Sequence, residues 1–218
     1  MHDINKKNRF SREWKIFLIR KHNKNELYLT LFLLAAVLLT FTRFLYFIEL
    51  RSGISFNDPM LELFDPVKLN WLIFGLLYTG LIIAVFFFIK DPHLMLTAMQ
   101  SYVILVLFRI AAMYLLPLNP PSDMLPLNDP FVQMFGTGEI LKKDLFFSGH
   151  TSTLFLIFII AKERIQKSLF LFLALFVGIS VLLQHVHYSI DVFTAPFFAF
   201  TAVKLALYIK KKYQVKFS

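Results

Sequence analysis

The sequence predicts an all-α membrane protein: a polytopic bundle of six transmembrane helices, preceded by a basic segment that reads as an N-terminal interfacial amphipathic helix or as a topology-fixing tail. Three observations predict it. Apolar residues make up 57% of the chain and charged residues only 17%, whereas a soluble domain carries about a quarter charged. The apolar residues gather in runs long enough to cross roughly 30 Å of hydrocarbon. The basic residues behind the net charge of +9 sit between and beside those runs, where they act as a topology signal. Charge placed in this way argues against nucleic acid as a partner. With no cysteine in the chain, disulfides, thiolate metal sites and cysteine nucleophiles are excluded.

Residues 1–26 form a basic cytoplasmic segment containing Lys6, Lys7, Arg9, Arg12, Lys15, Arg20, Lys21 and Lys24. Within it Phe10, Trp14, Phe17 and Leu18 recur at helical spacing. The segment reads either as an amphipathic helix on an anionic membrane surface or as a basic tail that fixes topology. No cleavable signal is expected, because the next apolar run is too long for a signal core. A membrane domain follows over 27–212, then a tail over 213–218. Its predicted spans are 27–48, 69–89, 94–117, 148–163, 168–185 and 188–209. The fourth is short and begins with polar residues. Arg43 and Arg109 interrupt apolar runs; Arg43 either snorkels to the interface or pairs with Glu49.

Charge asymmetry supports an even count. The N-terminal segment, the Lys162/Arg164/Lys167 turn and the Lys210-Lys211-Lys212 tail are basic. Segment 49–68 is balanced by Glu49, Asp58, Glu62 and Asp65, and segment 118–147 by Asp123, Asp129, Glu139 and Asp144. Six spans with both termini cytoplasmic put every clearly basic segment inside. Segment 118–147, with Pro120, Pro121, Pro126 and Pro130, is either a substrate wall or a spacer.

Two polar islands border the apolar runs on the predicted non-cytoplasmic side: Asp144-Leu-Phe-Phe-Ser-Gly-His-Thr151 and His185-Val-His-Tyr-Ser-Ile-Asp191. A helix starting near His187 places His187 and Asp191 four apart on one face. There the carboxylate either orients a nucleophilic imidazole or makes a structural pair. Ser148 suits an N-cap, and Gly149 permits close approach to the helix start, where amides favour an anion. His150 beside them is placed to donate a proton to a leaving oxygen. Arg109 lies about 12 Å inside the third span by helical rise, where arginine is costly unless paired or facing a polar cavity. It serves either as a phosphate clamp or as the partner of Asp144 or Asp191. His185 and His187 do not share a face of one helix, so a metal site is not expected.

These segments, together with Arg109-Ile-Ala-Ala-Met-Tyr-Leu-Leu-Pro-Leu118, resemble the type 2 phosphatidic acid phosphatase superfamily, and within it the sphingomyelin synthase-like branch. The superfamily's lipid phosphatases carry an early lysine-and-arginine signature that is absent here. They also have an arginine before the final histidine signature where this chain has Val181, and a proline where it has Phe147. The synthase-like branch shares these departures, although its cysteine before the aspartate is replaced by Lys142-Lys143.

The resemblance implies an enzyme that moves a phospho-head group from a membrane phospholipid donor to a ceramide-like lipid alcohol acceptor within the bilayer. Catalysis falls to His150, His187 and Asp191, and substrate binding to Arg109, Ser148, Gly149, Asp144 and Tyr188. No cofactor and no metal are implied. With water as acceptor, the same machinery is a lipid phosphate phosphatase. A non-catalytic transporter or scaffold is the reading of another class. One membrane cation suits a singly charged phosphodiester, with Lys142 or Lys143 as a possible addition, and the acids near Asp144 suit an ammonium head group.

Overall fold

The computed structural model describes residues 2–128 and 141–216. The described elements are helices α1 (His2–Ile19), α2 (Lys21–Leu50), α3 (Asn70–Phe88), α4 (Pro92–Leu115), α5 (Gly149–Ile160), α6 (Arg164–Leu183) and α7 (Ser189–Lys216). A 3-10 turn lies at Leu61–Leu63. Five helices, α2, α3, α4, α6 and α7 as far as Lys212, are long and apolar enough to cross a membrane. This is a helical bundle of the predicted class, and each predicted span has its helix.

The fourth span differs from its predicted extent. Helix α5 has 12 residues, so it rises about 18 Å, short of the roughly 30 Å of a bilayer core. Its position explains how so short a helix is tolerated. It lies against α3, α4, α6 and α7, and Thr151, Ser152, Leu154, Leu156, Ile157 and Ile160 are buried. A helix held by four protein neighbours is not required to match the bilayer thickness on its own.

The core forms around it. Ile73, Phe74 and Leu77 of α3, Leu154 and Ile157 of α5, and Leu173, Ala174, Val177 and Val181 of α6 pack together. Helix α7 contributes Ala195, Ala199, Ala202 and Ala206, all buried. Small side chains three and four apart let helix backbones approach closely in a bilayer, where dispersion and not water exclusion drives association. Helix α2 packs on α4 through Val37, Val103 and Val106.

The connections gather at two ends. At the end carrying α1, Trp14 Nε1 donates to the Ile89 carbonyl at 2.7 Å, and the Phe17 ring meets His93 edge-on at 4.9 Å. Lys162 Nζ pairs with Asp91 Oδ2 at 2.7 Å, and Asp91 Oδ1 caps α4 through the amides of His93 and Leu94, both at 3.1 Å. The N-terminal segment is therefore helical, but its stripe does not face outward as one surface. Phe17 is buried against the bundle while Ile16, Leu18 and Ile19 stay exposed. The side chain of Phe10 lies outside the described residues.

At the opposite end, the α2–α3 connection lies beside the segment after α4. Ile54 N–H donates to the Pro117 carbonyl at 2.9 Å, and Asn119 N–H donates to the Ile54 carbonyl at 3.0 Å. The Asn119 side chain pairs with Gly53, accepting at 3.2 Å and donating at 2.8 Å. Buried Gln184 accepts from Leu69 N–H at 2.8 Å and donates to the Leu125 carbonyl at 3.2 Å, tying both connections to the end of α6. Arg43 is exposed and does not pair with Glu49. Glu49 Oε2 instead accepts from the amides of Lys142 and Lys143, both at 3.0 Å. Of the long connection, 118–128 and 141–147 are held by these contacts; Asp129, Pro130 and Glu139 lie outside the described residues.

Candidate functional site

The site is built where α5 and α7 begin. Ser148 caps α5: its Oγ accepts from Thr151 N–H at 3.4 Å and its hydroxyl donates to Thr151 Oγ1 at 3.1 Å. Its own amide donates to the Asp191 carbonyl at 3.0 Å. One backbone hydrogen bond therefore joins the two polar islands directly, although 43 residues of chain separate Ser148 from Asp191.

His187 Nδ1 lies 3.3 Å from Asp191 Oδ2, and both side chains are buried. The pairing arises differently from the spacing argument. Helix α7 begins at Ser189, so His187 precedes it. Asp191, third in the helix, reaches back to Tyr188 N–H at 3.1 Å, the acidic half of a capping box. The same oxygen meets His187. His185 is also outside a helix, in a left-handed conformation with φ 54°, edge-on to Phe64 at 5.3 Å.

The His150 and His187 rings lie 6.3 Å apart at 65°, and Phe74 backs His150 at 5.7 Å. Arg109 of α4 completes the cluster. Its guanidinium pairs with Asp144 and lies 5.0 Å from the centre of the Phe41 ring. It fills the space beside Gly149, where an added Cβ would collide with Arg109 Nη1 and Cζ. The glycine thus admits an arginine of the protein itself. Arg109 Nε and Asp191 Oδ1 are buried here with no hydrogen-bond partner among the described residues.

Other candidates are otherwise engaged. Lys143 Nζ donates to the Arg51 carbonyl, so this ammonium is held away from Arg109. The Tyr188 hydroxyl donates to the Asn119 carbonyl at 3.0 Å, and its ring stacks on Phe56 at 4.0 Å. Asp123 is exposed. Two of the departures from the superfamily's signatures have packing reasons: Phe147 is buried and stacked on Phe198 at 3.9 Å, and Val181 is fully enclosed in the core. A groove of about 1020 Å³ lies at the α1 end, between Phe17, Lys90 and Lys162; none of the candidate residues lines it.

The structure brings together His150, His187, Asp191, Arg109, Asp144, Ser148 and Gly149. Sequence reading missed Asp58, which reaches the start of α7, and Gln184. Asp58 meets Ser189 and Gln184 meets Leu69 across more than a hundred residues of chain, so no local pattern marks these contacts.

A family model described as PAP2 superfamily C-terminal matches residues 143–209. The matched stretch contains both polar islands and leaves Arg109 outside. It supports a relation to the type 2 phosphatidic acid phosphatase superfamily, membrane enzymes of lipid phosphate chemistry, and does not single out a branch. No curated protein and no solved structure matches the chain.

Proposed function

We propose that this chain is an integral membrane lipid phosphotransferase that moves a phospho-head group from a phospholipid to a ceramide-like or other lipid alcohol through a phosphohistidine. The observation that carries the proposal is the approach of two histidine rings at the starts of two helices, 6.3 Å apart, one held by Asp191, with Arg109 packed against Gly149 beside the other.

In the first step, His187 Nε2 attacks phosphorus while Asp191 holds Nδ1. The bond from phosphorus to the diacylglycerol oxygen breaks, and His150 gives that oxygen a proton. In the second, His150 takes the proton from the acceptor hydroxyl, whose oxygen attacks phosphorus. The phosphorus–nitrogen bond then breaks and His187 is restored. Arg109, with its unpartnered Nε, and the α5 start offer donors to the phosphoryl oxygens. Ser148 and Gly149 bind substrate by shaping that start, and Tyr188 forms the wall behind His187. Asp144 neutralises Arg109 until the phosphate takes its place, and is then free to face a cationic head group.

Charge supports a diester over a monoester. Arg109 is offset by Asp144, Lys143 is committed elsewhere, and Val181 replaces an arginine. The family match also fits hydrolysis, in which water is the acceptor. Topologically, the basic segments favour cytoplasmic termini and a site toward the opposite face.

The test supplies purified protein with head-group-labelled phospholipids, with and without ceramide. Label moving to ceramide is the expected result. Label released as a free head group or inorganic phosphate identifies the hydrolase. No turnover over a broad lipid panel, with histidine variants behaving like wild type, leaves the transporter or scaffold reading standing.

A further inference from the structure

Asp58 lies in the α2–α3 connection, in a stretch whose acids register in the sequence only as charge balance. Its carboxylate is 6% exposed and reaches across to the first residue of α7. Oδ2 accepts from Ser189 N–H at 2.6 Å, and Oδ1 accepts from the Ser189 hydroxyl at 3.0 Å. Oδ1 also accepts from Met60 N–H at 3.1 Å, which fixes the carboxylate on its own connection.

This contact answers a local deficiency. The first amides of a helix have no partner within it and need an acceptor from outside. The residue before α7 is Tyr188, a poor N-cap, since its ring carries the hydroxyl away from the first amides of the helix, to the Asn119 carbonyl at 3.0 Å. Asp191 supplies only the acidic half of a capping box, to Tyr188 N–H at 3.1 Å. The missing acceptor comes from Asp58, 131 residues away. Residues 187–191 are thereby gripped by two carboxylates, Asp191 from inside the turn and Asp58 from outside it.

We propose that Asp58 is a positioning residue for the His187–Asp191 pair. By fixing Ser189 it sets the first turn of α7, and so the direction in which His187 presents Nε2. It touches neither histidine and does not act on substrate. Its effect should fall on the turnover step, because displacing a reacting group by about 1 Å costs up to about 100-fold in rate. The catalytic consequence rests on His187 being the nucleophile.

The test is Asp58→Asn, which keeps size and shape but removes the anion and turns one oxygen into a donor. Two readouts are taken on full-length protein in lipid nanodiscs: steady-state lipid turnover, and hydrogen exchange of peptides covering 186–193 and 73–84. The expected result is a kcat lowered at least about tenfold with the phospholipid KM changed less than about twofold, and faster exchange confined to 186–193. Unchanged kcat in an active protein overturns the proposal, as does exchange that rises equally in both peptides, which marks general destabilisation. Should wild type turn over no lipid, the transferase reading fails, and exchange at 186–193 alone decides whether Asp58 holds the turn.

Discussion

At the scale of single residues, the site depends on atoms whose substitution has separable consequences. In the proposed mechanism His187→Ala removes the nucleophile and His150→Ala the proton carrier, and each should lower turnover by at least about 100-fold while the bundle still folds. They differ in a way that tests their roles. Without acceptor, a labelled donor should leave acid-labile label on the wild-type protein, label that builds more slowly when His150 is replaced, and none when His187 is replaced. Gly149→Ala makes a different demand. The new methyl must displace the Arg109 guanidinium, which already occupies that space, so kcat should drop by about tenfold or more. An Arg109→Lys change in the same background should not restore it, because an ammonium lacks the planar fork that holds a phosphate through two parallel hydrogen bonds. Both histidines and Asp191 were legible in the sequence because polar residues bordering apolar runs need a reason. The Arg109–Asp144 pair was legible only as one of two alternatives. Asp58 was not legible at all, since its acceptor role exists only once α7 begins beside it.

At the scale of elements, helix positions followed from apolar run length, and five of the described helices have the length that rule requires. Helix α5 shows what the rule does not see. Hydropathy marks how apolar a segment is, not whether lipid or protein surrounds it, so residues 148–163 read as a short span although the helix itself has 12 residues. Its stability comes from its cap and its neighbours. Ser148→Ala removes the acceptor for Thr151 N–H and should cost about 1 kcal/mol, measurable as a lowered thermal midpoint in detergent. The α3–α4 turn carries a pH signature. Burial pushes the Asp91 carboxyl up, but hydrogen bonds from Lys162, Leu94 and His93 and the Lys162 charge outweigh it, and the net shift is downward from 3.8. A carboxyl with a depressed folded-state pKa stabilises fully above its unfolded value, and that stability is lost as pH falls through the folded value. Asp91→Asn should therefore be less stable than wild type near neutrality. The gap between their thermal midpoints should close only below pH 3.8.

At the scale of the whole molecule, contacts divide the bundle into two ends, and charge proposes which faces the cytoplasm. Trp14 on Ile89, Lys162 on Asp91 and Lys210 Nζ on Thr97 Oγ1 at 3.5 Å place α1, the α3–α4 turn, the α5–α6 turn and the distal part of α7 at one end. The Asp58–Ser189 and Glu49–Lys143 contacts gather the other connections around the histidines. The positive-inside bias assigns the first end to the cytoplasm. A chain without cysteine makes this directly measurable, because every introduced thiol is the sole target of a maleimide. Ser11→Cys, Asn57→Cys and Glu163→Cys all replace exposed residues. In sealed vesicles of known sidedness, an impermeant maleimide should reach Asn57→Cys from the non-cytoplasmic face, and Ser11→Cys and Glu163→Cys only from the cytoplasmic face. Labelling of Ser11→Cys and Glu163→Cys from opposite faces would break the rule that both turns share an end. Labelling of all three with inverted sidedness would keep the bundle and place the histidines toward the cytoplasmic leaflet, where the proposed donor and acceptor lipids would have to be found instead.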